Sequence, residues 1–269
     1  REICESAWRT GDPGVVFMDR VHETQPTMHY GLIQSSNPCG EEFLEPYGNC
    51  CLGSINLANF MNPHKGQLLD WRRLHQTIEL AVRFLDDVIE VNQFPVEQLK
   101  IVNQETRRIG LGVMGWADVL AAANIPYDSQ EAIDAASYTS HGITAHAWKV
   151  SAQLAVERGP FPLWESSELK KNYSTRPVRH SSVTTIAPTG TIALIAGCSQ
   201  GIEPHFAEEW TRNALWSKGT YTEFTETAPT NARTAYEISP EWHVRMLAAW
   251  QKHVTNSVSK TINMPADAT

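Results

Sequence analysis

The densest chemistry in the chain is Asn37-Pro38-Cys39-Gly40-Glu41, where an amide, a thiol and a carboxylate alternate at i, i+2 and i+4. In an extended segment these three side chains project from one face, and Pro38 and Gly40 occupy the other. A neighbouring carboxylate disfavours a thiolate, because negative charge raises a thiol pKa. The triplet is therefore a poor cysteine-protease arrangement. It suits a neutral thiol used in hydrogen-atom chemistry, with Glu41 as a base toward a hydroxyl. Taken alone, the string is better explained as a turn with a buried Cys and a solvated Glu.

Other segments carry weaker signals. Cys50-Cys51-Leu52-Gly53-Ser54-Ile55-Asn56-Leu57 begins eleven residues after Cys39. Pro188-Thr189-Gly190-Thr191-Ile192 offers successive backbone N–H groups and two hydroxyls, with Gly190 permitting close approach, which suits phosphate at the start of an element. An ordinary strand-ending turn is its alternative. No Lys or Arg occurs between Arg179 and Arg212, so charge there would be met by dipoles or distant groups. Gly110 to Gly115 lacks the flanking strand and downstream acid of a dinucleotide loop and reads as a close-packed turn. The ten histidines are scattered, and no Cys/His spacing reads as zinc-binding, so no metal is expected. A zinc module on Cys39, Cys50 and Cys51 is a weaker idea. Asp86, Asp87 and Glu90 read as a solvated helix face.

The elements that must position these groups alternate between strand and helix. Residues 1–10 read as a helix tail before the turn cluster Gly11-Asp12-Pro13-Gly14. Val15 to Met18 is an apolar run of strand length, and residues 30–57 read as strand and loop. Trp71 to Asn92 is an amphipathic helix with Leu74, Ile78, Val82, Leu85 and Ile89 on one face. Residues 109–122 read as a Gly-broken loop entering a helix, and 130–158 as a long helix closed by Gly159-Pro160. Ser182 to Ile186 and Thr191 to Ile195 read as strands. Ser239-Pro240 opens a last helix running to about His253. The pattern predicts an α/β fold, for which a mixed barrel is one closure.

Composition narrows the function. With 42% hydrophobic and 19% charged residues in 269, the chain is that of a globular protein. A formal charge of −8 argues against nucleic-acid binding. No membrane-length apolar run and no leader pattern are present. Five cysteines are too few for a disulfide scaffold, and the cluster at 39–51 suits a reducing, cytoplasmic setting. The start at Arg1 and the polar end suggest a piece of a longer polypeptide.

Together, Asn37 to Glu41 and Cys50 to Leu57 resemble the catalytic large subunit of ribonucleotide reductase, most closely its adenosylcobalamin-dependent form. Collinear blocks agree: Gly11 to Gly14, Arg107 to Gly115, Thr185 to Ile192, Ile202 to Pro204 and Val258 to Asn263. The resemblance implies that residues 1–269 are one region, the C-terminal half of a ten-stranded α/β barrel with a central finger loop carrying the radical cysteine. It implies that Cys39 abstracts the 3′ hydrogen of a ribonucleotide, Glu41 takes the 3′ hydroxyl proton and Asn37 fixes the sugar. Cys50 would belong to the redox-active pair, its partner lying outside this chain. Ser36, Asn37, Cys39, Glu41 and Pro188 to Ile192 (Pro188, Thr189, Gly190, Thr191, Ile192) would bind substrate. Adenosylcobalamin would be the cofactor. A thioredoxin- or glutaredoxin-type protein would be the reductant, and the complete protein a homodimer. Cys51 stands where the family usually has Asn and is read as packing; Cys4 and Cys198 have no matched role and are read as structural. Glu42 stands where an apolar or amide residue is common. Two alternatives stay open: the large subunit of a class I reductase, or a non-catalytic half-barrel needing a separately encoded partner.

Overall fold

The Asp70 carboxylate accepts a hydrogen bond from the Arg73 N–H (3.1 Å) and opens helix α3, Trp71–Val91. One face of α3 buries Leu74, Ile78, Val82, Leu85 and Ile89, the stripe its periodicity predicts. Ser129 caps α6, Gln130–Arg158, in the same way, and Gly159 ends it at φ 83°. Pro240 occupies the first turn of α9, Pro240–Gln251, after Ser239. Helix α6 packs between α3 and α9. The Ser140 hydroxyl donates to the Trp250 carbonyl (2.8 Å), and Gly142 leaves room for the Trp71 indole.

The structure is a computed structural model that describes residues 1–62, 67–172, 176–216, 220–265 and 267–268. Its other elements are α1 (Glu2–Thr10), α2 (Met18–Thr24), β1 (Leu52–Asn56), α4 (Glu97–Thr106), β2 (Gly110–Met114), α5 (Trp116–Ala122), α7 (Glu168–Asn172), α8 (Gly190–Ala196), β3 (Glu209–Trp216) and β4 (Thr220–Thr227). Strands β1 and β2 pair in parallel, Leu52 opposite Gly110 through Asn56 opposite Met114, while β3 and β4 form an antiparallel hairpin. No helix among the described residues is long and apolar enough to cross a membrane.

The expected ten-stranded barrel is corrected by this topology. The described residues are mostly helical, with two small two-stranded sheets that do not close. Residues 182–186 meet β2 only through the isolated parallel bridge of Leu111 to Thr184, and Val258 meets that segment through another, Ile186 to Val258. The reason is local: the Thr255 hydroxyl accepts from the Val183 and Thr184 N–H groups (3.0 and 2.9 Å), taking donors a longer ladder would need. Val15 to Phe17 is not a strand, and Val15 and Phe17 are exposed before α2 begins. Gly110–Met114 is a buried strand and no loop, because Gly110 and Gly112 let it close onto Thr185, where added Cβ atoms would lie 2.4 and 2.3 Å from that residue. Thr191 to Ile195 belongs to α8 and is not a strand.

Asp86 corrects the reading of a solvated helix face. Its side chain has no exposure and receives Arg107, Arg158 (2.7 Å), Arg179 (3.1 Å) and His180 (3.1 Å). Burial alone would raise its pKa; hydrogen bonds and charge from His180 and Arg107 overcome this and hold it well below the carboxylate range. Asp86, His180 and Ser151 are bonded in series like a hydrolase triad. All three are sealed from solvent, however, and the Ser151 hydroxyl oxygen already accepts from the Arg179 and His180 N–H groups. Asp86→Ala would remove the buried partner that Arg107, Arg158 and Arg179 share and should cost about 3–5 kcal/mol, read as a fall in the urea midpoint. Asp87→Ala, at a half-exposed position, should change stability by less than about 1 kcal/mol.

Candidate active site

Residues 37–42 form a tight reversal. The Gly40 N–H donates to the Asn37 carbonyl (3.1 Å) with Pro38 at the second position, and Gly40 adopts φ +76°, a value that favours glycine. The Asn37 N–H donates to the Glu42 carbonyl (3.1 Å), and the Asn37 Oδ1 accepts from the Glu42 N–H (3.1 Å). Ser36 bridges to Phe43, and its hydroxyl donates to the Asn37 carbonyl (2.9 Å). The Asn37 side-chain oxygen thus shapes the turn, and its Nδ2 is the end available to a ligand.

The turn is anchored from three directions. The Glu41 carbonyl accepts from the Thr185 hydroxyl (2.7 Å) and the Ser257 N–H (3.1 Å). Asn256 accepts from the Phe43 N–H (3.0 Å) and donates to the Glu42 Oε2 (3.1 Å). Arg108 forms a two-pronged pair with Glu45, both contacts 2.8 Å. Burial opposes ionisation of Glu45, and Arg108 overcomes it, holding the pKa below the ordinary range.

At the tip, Cys39 is exposed and free. Glu41 lies behind it, 4% exposed, with its Oε2 buried and bonded to no protein group. A buried carboxylate oxygen with no partner is costly unless it serves something that arrives. The expectation of a solvated Glu in a bland turn does not hold, since Glu41 is buried and Cys39 is the exposed one. Local desolvation, then Glu42, then Glu41 raise the thiol of Cys50, an exposed residue, to about 11, so it stays protonated near neutral pH. Cys51 is buried with its sulfur 3.5 Å from the Leu85 carbonyl, as packing predicts. Cys4 is exposed on α1, which buries none of its residues. Among the described residues no three of His, Cys, Asp and Glu come together to hold a metal ion.

The segment that anchors Glu41 continues into Pro188 to Ile192. Thr189 sits at φ 57° as the N-cap of α8; its carbonyl accepts from Ala193 (2.8 Å) and its hydroxyl from the Gly201 N–H (2.8 Å). Its hydroxyl therefore fixes the loop, whereas Thr191 and Ile192 are exposed in the first turn of α8. The Thr185 and Ser257 contacts put this loop and the Cys39 turn on one framework.

The sequence matches the family described as ribonucleotide reductase, barrel domain, over residues 1–176, 165–232 and 217–269. The chain belongs to this family. It is 44% identical over 99% of its length to the vitamin B12-dependent ribonucleoside-diphosphate reductase of Thermoplasma acidophilum, covering 38% of that protein. It is 42% identical over 99% of its length to the protein of the same description from Mycobacterium tuberculosis, covering 42% of it. Identity to the ribonucleoside-diphosphate reductase subunit alpha of Chlamydia pneumoniae is 30%, over 96% of this chain and 31% of that one. The chain is thus a homologue of the B12-dependent reductases and spans about two fifths of the length of these relatives.

Within this family member, the blocks noted in the sequence meet in space. Glu203 pairs with Lys260, and its Oε1 accepts from the Thr261 N–H (2.6 Å). The Arg107-Arg108 block serves Asp86 and Glu45. Asn256, which supports Phe43 and Glu42, escaped the sequence reading because its contacts lie more than 200 positions away.

Proposed function

We propose that this chain carries the reactive turn of an adenosylcobalamin-dependent ribonucleoside-diphosphate reductase, which makes deoxyribonucleotides. The observation that carries the reading is the buried, unbonded Glu41 oxygen beside the free, exposed thiol of Cys39. Cys39 takes the 3′ hydrogen atom of the ribose. Glu41 accepts the 3′ hydroxyl proton, which supplies the partner its oxygen lacks. Asn37, with Oδ1 engaged in the turn, presents its amino group to a ribose hydroxyl. Cys50 and a second cysteine outside this chain together supply the two electrons and two protons that accompany loss of the 2′ hydroxyl as water.

The chemistry of the turn fits adenosylcobalamin in one respect: Cys39, the residue that would meet it, is an accessible thiol with no bonded partner. What the bound cofactor supplies is radical character, which no side chain here provides. The higher identity to B12-dependent relatives favours this form over a class I large subunit. The full-length protein should reduce ribonucleotides with adenosylcobalamin and a thioredoxin- or glutaredoxin-type reductant alone. A requirement for a second, radical-generating subunit would favour class I. The exposed Trp8, Phe17 and Phe84 support the proposal that the rest of a longer protein covers this chain.

Phosphate is assigned to the first turn of α8 and the Thr191 hydroxyl. Thr191→Val removes that hydroxyl at near-constant shape and should cost about 1.5–3 kcal/mol, roughly ten- to hundredfold in kcat/KM. A nucleoside lacking phosphate should lose much less. An equal loss with both substrates would make Thr191 a structural residue.

A further inference from the structure

We propose that Glu42 is a positioning residue for Cys50: its buried carboxyl, packed against Gly110 at the start of β2, sets when the Cys50 sulfur becomes reactive. The proposal rests on the reading of Cys50 as electron donor only for its importance; the chemistry below is independent of it.

Glu42 is turned toward the start of β2, where its side chain meets Gly110. Glu42 is 4% exposed. Its Oε2 accepts from Asn256, but its Oε1 is buried without any hydrogen bond. That oxygen lies against the bare Cα of Gly110: a Cβ added there would stand 2.9 Å from Oε1 and 2.6 Å from the Leu52 side chain. The Gly110 N–H donates to the Cys51 carbonyl (2.9 Å). The unpartnered oxygen therefore sits at the first rung of the β1–β2 pair, Leu52 opposite Gly110, two residues along the chain from Cys50.

Few groups can settle the charge of Glu42. Glu41 and Glu45 face it from its own turn, Arg108 from the start of β2, Cys50 and Cys51 from the start of β1, and the neutral Thr185 and Asn256 from the adjoining segments. Arg108 is already committed to Glu45 through both prongs. Burial consequently raises Glu42 to about 7 despite Arg108. Below that pH it is neutral; above it, its negative charge opposes a Cys50 thiolate.

The test is the pH profile of iodoacetamide alkylation at Cys50 in the full-length protein, read site by site by mass spectrometry. Cys4, exposed on α1, is the internal reference. Glu42→Gln keeps an acceptor for Asn256 and removes the charge. It should shift the Cys50 profile to lower pH, each unit being about a tenfold rise in thiolate below the midpoint, with Cys4 unchanged. An unshifted Cys50 profile in the folded variant would overturn the proposal. Carboxyl infrared titration of the unmodified protein, with the charge-conserving Glu42→Asp identifying the band by its shift, covers the case in which Glu42→Gln fails to fold. A Glu42 midpoint near 7 supports the proposal, and one near 4.5 contradicts it. Neither readout needs turnover, so absence of reductase activity would sink the functional reading and leave this one standing.

Discussion

Cys39→Ser should abolish nucleotide reduction in the full-length protein while leaving its stability within about 0.5 kcal/mol of the parent, because the side chain is exposed at a turn tip. The asymmetry follows from where the residue stands. Gly40, Asn37 and Glu42 form the turn through backbone and amide groups, none of which involves the sulfur. The Ser O–H bond is too strong to replace an S–H bond in hydrogen-atom transfer, so near-identical shape should not rescue activity. Deoxyribonucleotide formation and thermal unfolding, measured on the same preparation, check both halves. Substantial turnover by the Ser variant would remove Cys39 from the chemistry.

The second large effect separates the adjacent thiols. Cys50→Ser should block multiple turnover, because the pair that supplies the two electrons has lost one of its sulfurs. Cys51→Ala should keep multiple turnover and lose about 1 kcal/mol of stability, since Cys51 is packed below the Leu85 carbonyl. A rapid-quench time course counts product per active site. Multiple turnover in Cys50→Ser combined with a single turnover in Cys51→Ala would place the redox role on the wrong neighbour.

What the sequence reveals depends on how far each residue's partners lie along the chain. The stripe of α3 and the Ser129 cap of α6 are legible because helix periodicity and capping act within a few residues. Asp86 belongs to the same helix yet reads as solvated, since its arginines lie 21, 72 and 93 positions away. Strand β2 hides behind its glycines, whose value appears only when Thr185 packs against them. Helix α8 contains Thr191 and Ile192, which favour strands, and tertiary context overrides that preference. The alternation of Asn37, Cys39 and Glu41 is visible in the sequence. The anchors at Arg108, Thr185 and Asn256, which bury Glu41 and leave Cys39 open, are not. Barrel closure was implied by resemblance alone, and the bridges at 184, 186 and 258 do not extend into it.

The most direct test of the central claim, hydrogen abstraction from ribose by the Cys39 turn, is the kinetic isotope effect with a 3′-deuterated ribonucleotide. It should be measured in the full-length protein with adenosylcobalamin present. A primary effect on reduction is expected in the parent protein and, in Glu41→Gln, slower turnover with cleavage at the 3′ position retained in the pathway. A rate insensitive to 3′ deuterium, accompanied by no exchange of the 3′ hydrogen during turnover, would contradict it.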